Sequence, residues 1–188
     1  MSTIVVVKKD GAAAIAADTL TTYGGTKESA EYVVNYEKII KYGENYIGIS
    51  GSASLGIAIK DYLSKAKKKV SFENVADIYR FGLRLHKDLK ENYFLRPDDE
   101  EDFETFRGDI LIANPNGIFG LSSYRFVQEF TRFYVIGSGH GYALGAMFAV
   151  YNDENKTAGD VARIGINAGV EFDDSSGLPM SLHTIKLK

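Results

Sequence analysis

The residue that points most directly to chemistry is Ser2, the second residue of the chain. Because serine is small, an initiator methionine in front of it is ordinarily removed, which leaves Ser2 with both a hydroxyl and a free α-amine. An α-amine titrates at about pH 8 and can accept the proton of its own hydroxyl, so one residue supplies both nucleophile and base. The alternative interpretation of Ser2 is an N-terminal serine without a catalytic role.

Composition excludes most other catalytic arrangements. The 188 residues contain no Cys and three His, which removes thiolate catalysis and cysteine zinc sites and disfavours a histidine metal site. The glycine-rich segment 137–141 lacks both a Walker lysine and the Gly-x-Gly-x-x-Gly spacing of a dinucleotide site. The net charge of −3 lacks the excess of basic residues that is typical of nucleic-acid-binding proteins. We therefore expect no metal, no cofactor and no nucleic-acid partner.

Hydrophobic patterns predict the elements that must bring distant groups to Ser2. Short apolar runs bounded by turn residues predict strands over 2–8, 12–17, 36–42, 46–50, 109–113, 117–122, 132–136 and 181–187. Apolar positions at helical spacing predict helices over 52–69, 72–94, 142–151 and 158–167. Ser71 and Thr157 are the predicted N-caps of the second and fourth helices. The polar segment 19–31 and the acidic segment 97–104 are predicted loops, because consecutive carboxylates cannot be buried unpaired.

These elements predict the fold class, since helix pairs alternate with sets of antiparallel strands. The arrangement that buries both faces of each pair is two sheets face to face, with one helix pair on each outer side. We therefore expect a single domain over residues 1–188 of the α+β class, built as a four-layer αββα sandwich of two antiparallel sheets. No apolar run approaches the roughly 20 residues of a membrane span, and the N-terminus does not read as a signal peptide. We expect a cytoplasmic protein without membrane contact.

Three motifs in the first third of the chain resemble a known enzyme family. Ser2–Val7 forms an apolar run that begins with the candidate nucleophile, and Asp18 lies sixteen positions after Ser2. Glu37–Ile40 places Lys38 in front of an apolar run, and Gly51 precedes the first predicted helix. This order and spacing resemble proteasome β-subunits and the peptidase of the bacterial two-component heat-shock protease. Relative to that family, the segment 19–31 carries a small insertion before the lysine.

Two later motifs extend the resemblance over nearly the whole chain. Gly137-Ser138-Gly139 resembles the serine corner beside the family's nucleophile, and Asp173–Gly177 resembles its Asp-x-x-Ser-Gly motif. Outside such a pattern, Ser138 would be a helix N-cap, and Asp173 and Ser176 would simply form a turn before the last strand.

The resemblance implies a role for each of these residues. Ser2 is the expected nucleophile, Lys38 the buried cation that favours its alkoxide, and Asp18 the partner of that lysine. The backbone N–H of Gly51 is expected to donate to the oxyanion. Ser138, Asp173 and Ser176 are expected to brace the N-terminal residue.

The resemblance also implies the function. The expected fold is that of N-terminal-nucleophile hydrolases, and the expected activity is hydrolysis of peptide bonds in polypeptides by Ser2 after removal of Met1. Serine lacks the methyl group that restricts the rotamer of the family's threonine, so we expect low activity. The expected assembly is a homo-oligomeric double ring, a tetradecamer in preference to a dodecamer, with an AAA+ unfoldase as a candidate partner. Two alternatives are a catalytically inactive ring subunit with a structural role and an amidase acting on a small molecule.

Overall fold

The computed structural model describes residues 2–66, 68–95 and 103–188. In these residues the elements, in chain order, are β1 (Ile4–Lys9), β2 (Ala12–Asp18), β3 (Thr21–Tyr23), β4 (Thr26–Glu28), β5 (Ile39–Tyr42), β6 (Asn45–Gly51), α1 (Ala53–Lys65), α2 (Val75–Asn92), β7 (Gly108–Asn114), β8 (Gly117–Leu121), β9 (Val127–Phe130), β10 (Phe133–Ile136), α3 (His140–Val150), α4 (Ala158–Phe172) and β11 (Met180–Lys186). None of the helices described is both long and apolar enough to cross a membrane.

The strands form two antiparallel sheets and one short hairpin. The first sheet has the order β10-β1-β2-β11, and the second has the order β5-β6-β7-β8-β9. Within the part of the chain that the structure describes, the strands β3 and β4 pair only with each other. Because β1 and β2 are the two inner strands of the first sheet, the N-terminal hairpin lies at its centre.

Three hydrophobic clusters define the layers of the molecule. One cluster packs α1 and α2 onto the outer face of the second sheet, and another packs α3 and α4 onto the outer face of the first sheet. The third lies between the two sheets. Strand β1 shows the consequence, since Ile4 and Val6 face the other sheet while Val5 and Val7 face the helices. This arrangement confirms the predicted four-layer αββα sandwich; the prediction of one domain over 1–188 stays a prediction.

Several predicted boundaries differ from the structure. The segment 19–31, predicted as a loop, contains the β3–β4 hairpin, whose largely polar strands give no alternating apolar pattern. Strand β9 was not predicted, and helix α1 ends at Lys65 instead of continuing to residue 69, because the backbone of Ala66 is extended. Most of the predicted acidic loop 97–104 lies outside the described residues.

The two predicted helix caps have different outcomes. Thr157 caps α4 in a reciprocal capping box with Asp160, as predicted. For α2 the prediction of Ser71 is wrong, since Asn74 accepts the bond from the backbone N–H of Asp77 and is the N-cap. Ser71 instead donates its hydroxyl to the Asp77 carboxylate.

Candidate active site

Antiparallel pairing gathers four strand ends at one end of the first sheet. Ile4, the first residue of β1, pairs with Ala17 near the end of β2 and with Ile136 at the end of β10. Asp18, the last residue of β2, pairs with Met180, the first residue of β11. The N-terminal residues, the corner after β10 and the turn before β11 therefore meet in one place, although they are far apart in the sequence.

Asp18 is the most heavily bonded side chain at this end. It is fully buried, and both of its oxygens accept two hydrogen bonds. Oδ1 accepts from the Thr3 backbone N–H at 2.9 Å and from the Lys38 ammonium at 2.8 Å. Oδ2 accepts from the backbone N–H groups of Leu20 at 3.1 Å and Gly177 at 3.0 Å. The four donors fix the position of the carboxylate.

The structure brings Lys38 to Asp18, as the resemblance implied. The Lys38 side chain is 12% exposed, and its ammonium also donates to the carbonyl of Leu20 at 2.7 Å. Burial lowers the pKa of Lys38 from its ordinary value, while the charges of Asp18 and then Asp173 act in the opposite direction. The residue lies immediately before β5 and not inside a strand, because pairing in that hairpin begins at Ile39.

Ser138, Asp173 and Ser176 form a second cluster at the same end. Asp173 Oδ2 accepts hydrogen bonds from the Ser138 hydroxyl at 2.7 Å and from the Ser176 hydroxyl at 2.6 Å. Ser138 Oγ also lies 3.5 Å from the carbonyl oxygen of Ser2. Ser138 is not the N-cap of α3, since Gly139 takes that position without a side-chain cap. Asp173 thus bonds to both serines, and Ser138 also reaches the main chain of Ser2.

Ser2 lies against the corner that follows β10. The residue is buried, and its carbonyl accepts a bond from the Gly139 N–H at 3.4 Å. Gly137 has a φ of +97°, and a Cβ at that position would lie 2.0 Å from the Ser2 carbonyl oxygen. Only glycine permits this approach. The corner therefore fixes the main chain of Ser2.

Gly51 occupies the matching end of the second sheet. It is the last residue of β6, has a φ of +145°, and lies directly before Ser52, the N-cap of α1. The N-terminus of α1 presents backbone N–H groups and a partial positive charge at this edge. This placement suits an oxyanion donor, and the role of Gly51 stays a prediction.

Three contributors to the site were not predicted from the sequence. Leu20 and Gly177 act through backbone groups, which no side-chain type signals. Thr3 could have been found from the alternation along β1, because it falls on the same face as Val5 and Val7, the face packed on α4.

The two clusters give the site its chemical character. On one side of the N-terminal residues lies a buried ammonium whose charge favours an anionic oxygen, and on the other lies a carboxylate held by two hydroxyls. A hydroxyl with its own α-amine at this position has the groups needed for nucleophilic attack on a carbonyl.

The sequence and the structure of the chain are similar to those of known proteins, some of which are named as protease subunits. No protein-family model matches the sequence. The ATP-dependent protease subunit HslV of Borrelia hermsii is 26% identical over 162 residues, which cover 86% of this chain and 84% of the relative. The structure of Thiobacillus denitrificans BPH in complex with epoxomicin is similar at a TM-score of 0.94 and 48% identity, covering 99% of both chains.

A third similarity concerns the fold alone. Eukaryotic HslV from Trypanosoma brucei superposes at a TM-score of 0.70 with 18% identity, covering 98% of this chain and 99% of that chain. The three similarities confirm the expected fold of N-terminal-nucleophile hydrolases. The first two support peptidase function and favour neither the inactive ring subunit nor the small-molecule amidase. With 48% identity across almost its full length, the chain belongs to the proteasome β-subunit-like family of N-terminal-nucleophile peptidases.

Proposed function

We propose that Ser2, with its α-amine freed by removal of Met1, is the nucleophile with which this peptidase cleaves peptide bonds. The observation that carries the proposal is the meeting of the Lys38–Asp18 ion pair and the Asp173 hydroxyl cluster at the start of β1. Met1 lies outside the described residues, so the dependence on its removal is part of the proposal.

The proposed reaction proceeds in two steps. Ser2 Oγ attacks the carbonyl carbon of the scissile bond while its proton passes to the α-amine. The resulting oxyanion accepts a hydrogen bond from the backbone N–H of Gly51. The C–N bond then breaks, the departing amine takes the proton from the α-amine, and the acyl group remains as an ester on Ser2. Water attacks this ester with the α-amine again as base, which releases the acid and restores the hydroxyl.

Lys38 and Asp18 supply the electrostatics of both steps. The Lys38 ammonium lowers the energy of the Ser2 alkoxide and disfavours a second positive charge on the nearby amine. Asp18 keeps that ammonium charged in a buried position, where an unpaired lysine would tend to lose its proton. The amine therefore stays available as a base at neutral pH.

An exposed apolar surface on α3 and α4 supports assembly. Tyr142, Phe148 and Phe172 are between 50% and 72% exposed, and the rings of Tyr142 and Phe172 lie 5.4 Å apart. Large apolar surfaces of this kind mark contacts between chains. We assign this surface to the proposed homo-oligomeric double ring, a tetradecamer in preference to a dodecamer. Mass photometry should then give a particle of at least twelve chains, and a stable monomer or dimer would contradict the assignment.

Substrate and partner follow from the assembly. A ring that encloses its sites admits only unfolded polypeptides, so we propose such chains as substrates and the cytoplasm as the place of action. The curated relatives carry the name ATP-dependent protease subunit, which supports an AAA+ unfoldase as the partner.

The test compares three versions of residue 2 on a panel of fluorogenic peptides. Ser2→Ala should abolish turnover, whereas Ser2→Thr should retain or raise it, because threonine restricts the rotamer of the hydroxyl. Epoxomicin, the ligand in the similar BPH structure, is an epoxyketone that needs both hydroxyl and amine. It should modify Ser2 in chains whose intact mass shows loss of Met1, and leave chains that retain Met1 unmodified. Turnover by Ser2→Ala, or modification of Thr3 or Ser138 instead, would overturn the proposal.

A further inference from the structure

The side chain of Thr3 occupies a slot that two glycines keep open. The residue is fully buried between the start of α3 and the last turn of α4. A Cβ at Gly139 would lie 2.0 Å from Thr3 Oγ1, and a Cβ at Gly169 would lie 2.5 Å from the same atom. The backbone on both sides therefore approaches the Thr3 hydroxyl as closely as glycine allows, and the slot is matched to a small branched side chain.

The direction of the hydrogen bond from Thr3 follows from its neighbours. Thr3 Oγ1 and Ser176 Oγ are 2.8 Å apart, and the Ser176 hydroxyl lies 2.6 Å from Asp173 Oδ2. The Ser176 hydroxyl carries a single proton, and it donates that proton to Asp173. Thr3 must then donate its own proton to Ser176. The result is a directed chain from Thr3 through Ser176 to Asp173.

The backbone of Thr3 is tied to the opposite cluster. Its N–H donates to Asp18 Oδ1 at 2.9 Å, the oxygen that also accepts from the Lys38 ammonium. Its carbonyl accepts the backbone N–H of Asp18 at 3.1 Å. Thr3 thus bonds to both clusters of the site, and it is covalently attached to Ser2.

We propose that Thr3 is a positioning residue for peptide-bond hydrolysis, an inference that rests on the proposed role of Ser2. Its hydroxyl holds the Ser176 hydroxyl in the orientation that donates to Asp173. Its backbone N–H and carbonyl bond to Asp18 and hold that residue in place. Without that donor, Ser176 would keep a buried, unsatisfied oxygen and could turn to another staggered rotamer. Such a rotation would loosen the brace around Ser2 without removing any group that reacts.

Two substitutions separate the hydroxyl from the shape of Thr3. Thr3→Val keeps the branched shape and removes the hydroxyl, whereas Thr3→Ser keeps the hydroxyl and removes the methyl that packs against Gly169. We expect Thr3→Val to lower kcat about tenfold with KM within twofold of the wild type. Thr3→Ser should keep kcat within about twofold. Both variants should lower Tm by a few degrees. A loss of kcat in Thr3→Val alone would therefore not be explained by lower stability.

A second measurement tests whether Thr3 acts through Ser176. In a Ser176→Ala background, Thr3→Val should have little further effect on kcat, because the bond that it removes is already lost. Equal kcat for the Val and Ser variants, or independent multiplicative losses in the double variant, would overturn the inference. Ser2→Ala, measured alongside, distinguishes the two proposals. Turnover without the Ser2 hydroxyl defeats the proposed nucleophile, whereas an inactive Ser2→Ala with a fully active Thr3→Val defeats only the positioning role.

Discussion

Two lysines at opposite ends of the β1–β2 hairpin show how similar bonding serves different purposes. Lys38 donates to the Asp18 carboxylate and to one backbone carbonyl, where the open end of the hairpin meets the ends of β10 and β11. Lys9 ends β1 at the turn and donates to two backbone carbonyls, those of Asp153 and Lys156, in the connection between α3 and α4. Its ammonium also lies 5.8 Å from the centre of the Tyr151 ring.

The difference lies in the acceptors. The acceptors of Lys9 are peptide carbonyls and an aromatic ring, which are not ionised. They hold the lysine in a structural role without placing a second charge beside it. A buried carboxylate with three backbone donors of its own is a fixed charge, and it keeps the lysine bound to it in one position. Bond count alone therefore does not separate a structural lysine from a chemical one.

Removing Lys38 should have the largest effect on activity. Lys38→Ala should lower kcat/KM by about 10² to 10⁴, since it removes the charge that favours the Ser2 alkoxide. Assembly and thermal stability should stay nearly intact, because Asp18 keeps its three backbone donors. Fluorogenic peptide kinetics together with scanning calorimetry measure both quantities. Full activity in this variant would move the role to Lys27 or Lys41.

Neutralising Asp18 should lower activity less and stability more. In Asp18→Asn, an NH₂ group that cannot accept hydrogen bonds replaces one of the two carboxylate oxygens. In either orientation of the amide, this group faces N–H donors that bond to a carboxylate oxygen in the wild type. The Lys38 ammonium also loses its buried counter-charge, a type of change that costs about 3–5 kcal/mol. We expect about a hundredfold loss in kcat. Urea unfolding should show a lower midpoint than for Lys38→Ala, and the reverse order would contradict this account of the pair.

Alkaline pH should move activity and stability in opposite directions. Because burial lowers the pKa of Lys38, activity should fall as the ammonium is lost, at a pH below the roughly 10.4 of an ordinary lysine. Between the two pKa values the unfolded chain binds more protons than the folded one, so the contribution of Lys38 to the free energy of unfolding rises with pH.

The difference in unfolding free energy between the wild type and Lys38→Met isolates this contribution from other titrating groups. Measured by urea titration from about pH 8 to 10.5, it should shift in favour of the wild type as the pH rises. A difference that stays flat or reverses would mean that burial does not control the titration of Lys38.

Lys9 provides the smallest effect and completes the comparison. Lys9→Met keeps an apolar stem over Tyr151 and removes two bonds to backbone carbonyls. Each bond contributes about 1 kcal/mol, so Tm should fall by several degrees while kcat and KM stay within twofold. A tenfold loss of kcat in this variant would show that the far end of the hairpin also controls the site.

The sequence predicted the site residues more fully than the contacts among them. Strands with apolar runs and helices with apolar stripes were found, because burial imposes a period on the sequence. Strands β3, β4 and β9 were missed, since the first two are largely polar and β9 has no clear alternation. The donors from Leu20 and Gly177 could not be predicted, because every residue carries a backbone N–H and only the fold decides which of them reach Asp18.

The inner position of β1 sets the order in which the molecule can be completed on the ribosome. Ile4 pairs with Ile136, and the neighbouring Asp18 pairs with Met180, so the first strand synthesised must wait for partners translated much later. Pairing over such distances along the chain is slow to form. Ser2 therefore emerges well before Ser138 and Gly139, the residues that contact its main chain. A nascent chain therefore cannot hold an assembled site until β11 has emerged from the ribosome.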